Sequence, residues 1–146
     1  MLVERAYAAG ALNVDVLWSD DRLSRARFSY GDRAAAETVA RVTAFRMAAF
    51  EAGDLMLYVD ARDPDAFAGE DADRVADFEK RNRLHLAPLM AAQGKLERTW
   101  SVIAAPNPRW ASKVFPDLGE DEAIESLWAA IFRACRIDSP DPVAAW

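Results

Sequence analysis

The sequence predicts an α/β domain: a mostly parallel sheet with helices on both faces, three layers deep, over residues 1–146. Three observations carry this. Short apolar runs of strand length recur along the chain, helical segments separate them, and the helices carry period-3.6 apolar stripes with start and stop residues in place. Strands alternating with helices are the pattern of βαβ units, whose strands lie parallel.

Residues 2–9 read as a helix with Leu2, Val3, Ala6 and Tyr7 on one face, stopped by Gly10. Residues 12–18 alternate apolar and polar before turning fully apolar at Leu17 and Trp18, which predicts a first strand. Ser19, Asp20 and Asp21 then form a cluster suited to capping the next element. A helix is expected over 32–52, capped by Asp32, closed by Gly53, with Val39, Val42, Phe45 and Ala49 on one face. Leu55 to Val59 is a continuous apolar run, the mark of a strand buried on both faces.

A third helix is expected over 71–93, kinked or broken near Leu86 by Pro88. Residues 99–105 give a third strand, ended by Pro106 and Pro108. A short helix over 109–115 comes after the proline pair. The last helix, over 120–136, carries Ala123, Ile124, Leu127, Trp128, Ile131, Phe132 and Cys135 as one stripe. Its acidic start (Glu120, Asp121, Glu122) and basic end (Arg133, Arg136) complement the helix dipole. Both ends read as cut: the chain opens inside a helix, and Asp141-Pro142 begins a helix with almost nothing after it.

Composition excludes several classes of function. Charged residues make up 29% of the chain, which argues for a folded, solvated surface rather than disorder. A net charge of −6 repels phosphate backbones, so no nucleic acid partner is expected. No run approaches the roughly 20 apolar residues that cross a bilayer, so no membrane partner is expected either. The amino terminus lacks the pattern of a secretory leader. Cys135, the single cysteine, can form neither an internal disulfide nor a cysteine zinc site, and a cytoplasmic location suits it.

The sequence contains no Gly-rich phosphate loop and no Gly-x-Ser-x-Gly elbow. His85 is the only histidine, and one imidazole without partners makes a poor metal site, so it reads as a surface or half-buried residue. Asp20, Asp21, Asp60 and Asp63 stand where strands end, the edge at which open sheets gather ligands. Asp is also the preferred cap and turn residue there, and that is the reading adopted. Trp18, Trp100 and Trp128 are explained by packing, Trp146 is the last residue, and Cys135 reads as an inert member of its stripe. Trp110, directly after Asn107-Pro108-Arg109, stands at the ligand-bearing edge, with packing as its other explanation.

The stretch from Arg98 through Trp100, Pro106-Asn107-Pro108-Arg109-Trp110 and Val114-Phe115-Pro116, on through Leu127-Trp128 and Ile131-Phe132 to Asp141-Pro142-Val143-Ala144-Ala145-Trp146, resembles the thermophilic metallo-aminopeptidases. That family includes the aminopeptidases T and S and PepS. Here Ala105 stands as one extra alanine before Pro106. The similarity of the earlier half, including Ala6-Tyr7-Ala8-Ala9-Gly10-Ala11, is looser. The resemblance implies an exopeptidase that releases amino-terminal residues from peptides with two divalent metal ions, zinc or cobalt, which activate a water. It places the metal ligands in a carboxy-terminal domain outside this chain, so no catalytic and no metal-binding residue is assigned here, and the chain alone is expected to be inactive. It further implies a homodimer enclosing a cavity, for which Asn107 and Trp110 are the candidate wall residues. The alternative is a free-standing α/β binding or dimerisation module without catalysis.

Overall fold

The structure is a computed structural model that describes residues 2–31 and 39–145. Its elements are α1 (Leu2–Ala8), α2 (Asp21–Tyr30), α3 (Val39–Ala52), β1 (Met56–Asp60), α4 (Ala72–Gly94), β2 (Trp100–Ala104), α5 (Pro108–Val114) and α6 (Glu120–Ala134). The expected cap Asp32 and the tryptophan at 146 lie outside the described residues.

The fold class is α/β, built on a two-stranded parallel sheet. β1 and β2 pair in register from Met56 opposite Trp100 to Asp60 opposite Ala104. A parallel pair needs a long crossover, and α4 supplies it. Its last turn lies on the sheet face that carries Tyr58 and Trp100. There the Gln93 amide donates to the Tyr58 hydroxyl at 2.8 Å, and the Trp100 indole donates to the Gln93 carbonyl at 3.2 Å.

Helix ends are closed as the sequence indicates. After α1, Gly10 takes a φ of +97°. Its amide bonds the Tyr7 carbonyl while the Ala11 amide reaches back to Ala6, so two orphan carbonyls are satisfied. Gly53, at φ +89°, repeats the arrangement after α3, with bonds from Gly53 to Phe50 and from Asp54 to Ala49. α6 begins with three acidic residues and ends with Arg133 in its last turn.

The described interior has two centres. Phe28 of α2 meets Phe67 of the turn after β1 and Phe78 of α4 edge to face, and the latter two rings are tilted on one another, with ring centres 5.4 to 5.8 Å apart. The Arg74 guanidinium lies 5.0 Å over the Phe28 ring. The second centre is Ala111, Ala123 and Leu127, where α5 packs on α6 with Trp110, Phe115, Leu118, Ile124 and Ile131 around them.

Several expectations are corrected. Residues 12–18 form no strand: Leu12 is fully exposed and Trp18 is 91% exposed. Neither outer edge of the β1–β2 pair takes a further strand among the described residues, so the alternation of 12–18 goes unused. α2 was not foreseen, because its ten residues include only two large aliphatic or phenyl side chains, Leu23 and Phe28, too few to show a period. α4 runs unbroken past Pro88, which forfeits one backbone bond while Leu89 beside it is buried. The face of α3 that turns inward carries Thr43 and Phe50, whereas Val42 and Phe45 remain 44% and 48% exposed. On α6 the stripe is buried along Ala123 and Leu127 only, with Trp128 and Phe132 partly open and Cys135 exposed at the cap.

Candidate functional site

The carboxyl ends of the two strands are the edge where an open parallel sheet gathers ligands. β1 ends at Asp60 and β2 at Ala104, and the ladder continues one step further as the Ala105 amide bonds the Asp60 carbonyl at 2.8 Å. Asn107, two residues on, is the N-cap of α5: its side-chain oxygen accepts from the Trp110 amide at 3.0 Å. Its side-chain nitrogen donates to the carbonyls of Ala61 and Arg62, both at 2.9 Å. One side chain thus caps a helix and ties the two strand ends together.

Ion pairs reinforce that tie. Arg62 folds back on Asp60 as a fork, with its Nε 2.9 Å from one carboxylate oxygen and an Nη 2.5 Å from the other. This hydrogen bond holds the Asp60 carboxyl below its ordinary range, against a smaller opposing effect of burial. From α5, Arg109 reaches Asp63 at 3.2 Å and Lys113 reaches Asp65 at 2.5 Å. Asp63 also accepts from the Asp65 amide at 2.9 Å, as a turn residue does. Asp20 caps α2 by accepting from the Arg22 amide at 2.7 Å, and Asp21 accepts from the Asp63 amide at 2.7 Å. The turn and cap reading holds for Asp20, Asp60 and Asp63, whereas Asp21 bonds an amide 42 positions away, and neither Asp20 nor Asp21 follows a strand.

Chemically, the edge is held as a clasp of ion pairs and caps. Its carboxylates are each bonded to an arginine, a lysine or a backbone amide, so they do not fit a pair of metal ions. Among the described residues no group of three or more His, Cys, Asp or Glu is placed to hold a metal. His85 lies half-buried on α4. A cleft of about 220 Å³ between α2, α3 and α4, with Arg27, Arg46, Phe78 and Asn82 in its lining, carries no carboxylate, histidine or cysteine among the described residues. Trp110 is half-buried against the Ala111, Ala123 and Leu127 cluster. The basic partners Arg62, Arg109 and Lys113 were not singled out from the sequence. The i, i+4 spacing of Arg109 and Lys113 on α5 was the one available signal.

Comparison with known proteins decides what this scaffold belongs to. The sequence profile described as thermophilic metalloprotease (M29) matches residues 1–146, the full chain. The chain is a member of the M29 family. Its relatives in that family are aminopeptidases. It is 38% identical to aminopeptidase PepS of Streptococcus thermophilus over 151 aligned residues, which cover 100% of this chain and 36% of that protein. It is 37% identical to aminopeptidase 2 of Geobacillus stearothermophilus, covering 99% of this chain and 35% of that one. The solved structure of wild-type AmpT from Thermus thermophilus superposes with a TM-score of 0.84 at 32% identity, over 94% of this chain and 35% of its own. The family resemblance carried by the tryptophan- and proline-rich stretch from Arg98 onward is thereby borne out. The M29 chain spans about a third of the length of the relatives it matches.

Proposed function

We propose that this chain is the amino-terminal part of a metal-dependent aminopeptidase, and that it supplies scaffold rather than catalytic groups. The observation that supports this above all is the end-to-end match to aminopeptidases nearly three times as long, joined to a fold that superposes on one of them. On this reading, two divalent ions, zinc or cobalt, sit in a carboxy-terminal domain that continues from residues 1–146, and peptide is the substrate. At the sheet edge Asp60, Asp63 and Asp65 are paired with Arg62, Arg109 and Lys113, and no step of the hydrolysis is assigned to them.

The contribution of the chain lies at the carboxyl edge of its sheet. Asn107 holds the two strand ends and the start of α5 in one geometry, and Trp110 braces α5 against α6. In the assembled enzyme these residues form part of the substrate-cavity wall, within a three-layer domain and a homodimer that works in the cytoplasm. The test is turnover of an amino-acid p-nitroanilide with added zinc or cobalt. Residues 1–146 alone are expected to release no more p-nitroaniline than metal without protein, while the product of the complete reading frame turns over at an enzymatic rate. Activity in the short chain, or none in the complete product, overturns the reading.

A further inference from the structure

The two faces of the β1–β2 sheet are covered very differently. On the face of α4, Met56, Tyr58, Asp60, Trp100 and Ala104 are all at least partly buried, and only Val102 stands open. On the opposite face Leu57, Val59, Ser101 and Ile103 are all exposed, the three apolar ones by 44%, 49% and 37%. The register sets Leu57 beside Ser101 and Val59 beside Ile103, so these four form one continuous patch. Parallel pairs are as a rule covered on both faces, and this patch has no charged residue that would suit water.

We infer that this face is the seat of an apolar helix contributed by the two thirds of the family's length that lie beyond residues 1–146. The inference rests on the enzyme reading above and adds to it which surface the remainder takes. Length supports this occupant: a solved relative that superposes closely on this chain has the superposed part as only 35% of itself. The open apolar side chains also lie on several elements, Trp128 and Phe132 on α6 as well as the sheet face, which suits a long continuation that wraps the fold. The chemistry of the patch fits as well. Ser101 is small and lies between bulkier neighbours, leaving a step into which a helix can place a side chain. A helix here completes the third layer.

Maleimide labelling tests this. Cys135 is exposed, so Cys135→Ser is the background, into which Val59→Cys or Leu57→Cys is introduced on the patch and Lys80→Cys on the open side of α4 as a control. In the complete protein the patch cysteines are expected to label at least about tenfold more slowly than in residues 1–146, with the control unchanged. Equal labelling of both lengths, in a complete protein that still cleaves its p-nitroanilide, overturns the inference alone. Protection already present in residues 1–146 that fades on dilution assigns the patch to a second copy and also overturns it. A reading frame that closes near residue 146 removes the occupant and the enzyme reading together.

Discussion

The stretch from β2 to α6 and the first thirty residues of the chain are stabilised by different kinds of contact. β2, α5 and α6 fall within a residue or two of where their patterns place them, and the core of α5 and α6 is made by neighbours in sequence. Pro108 starts α5, Asn107 caps it, and the α6 stripe finds Ala111 a short distance upstream. The first thirty residues have no such self-sufficiency. α1 buries nothing, residues 12–18 stay without a partner strand, and α2 is held by one buried side chain, Phe28. The partners of Phe28 are Phe67 and Phe78, far along the chain. Local patterns therefore decide structure in the first region, and distant ones in the second.

Replacing Phe28 by alanine is the strongest way to sharpen this contrast. The substitution removes two edge-to-face contacts and the seat of the Arg74 guanidinium, and should cost about 3–5 kcal/mol of unfolding free energy. Urea denaturation measures the loss, and proteolysis should map it to α2. Trp18→Ala is the matched control: a side chain 91% exposed should move stability by less than about 0.5 kcal/mol. A large effect at Trp18 and a small one at Phe28 would break the comparison, because it would mean that residues 12–18 pack where the structure leaves them open.

Leu127→Ala comes next. Leu127 is 4% exposed between α5 and α6, and its truncation should cost about 2–5 kcal/mol, toward the lower end if the small residues Ala111 and Ala123 beside it close the gap. The loss should appear in hydrogen exchange of α5 and α6 and leave α2 protected as before. Asn107→Ala should cost less, about 1–2 kcal/mol, since it removes one helix cap and leaves the Ala61 and Arg62 carbonyls to water. Its signature is positional: amide exchange should rise at Trp110 and in the turn after β1 together.

Those expectations show what could be read from sequence. Gly10 and Gly53 announced their left-handed caps, because a positive φ selects glycine whatever surrounds it. The stripe of α6 announced a helix, yet which half of that stripe is buried depends on α5, and Trp128 and Phe132 fall on the half that α5 does not reach. Residues 12–18 carried a sound strand pattern that neither outer edge of the two-stranded sheet takes up. At the site, the cap and turn roles of Asp20, Asp60 and Asp63 were legible because each bonds an amide of its own turn. The clasp of Asp63 and Asp65 with Arg109 and Lys113 was not, since it joins residues nearly fifty positions apart.

The smallest expected effect concerns Asp60, where the clasp can be titrated. The Arg62 fork holds this carboxyl below its ordinary range in the folded chain, while in the unfolded chain it titrates near about 3.9. Above that value both states are ionised and the contribution of the pair is complete. As pH falls below it, the unfolded chain binds the proton first, so stability is lost progressively until the folded carboxyl is also protonated. Asp60→Asn should therefore flatten the pH dependence of unfolding free energy below about pH 4 and lower stability by a constant amount above about pH 5. Arg62 is 77% exposed along its side chain, which keeps the effect under about 1 kcal/mol and makes it shrink in high salt. Denaturation curves of both proteins across this pH range, at low and high ionic strength, check the sign. A variant whose slope matches the parent throughout would mean that the fork holds Asp60 no more tightly in the folded chain than water does in the unfolded one.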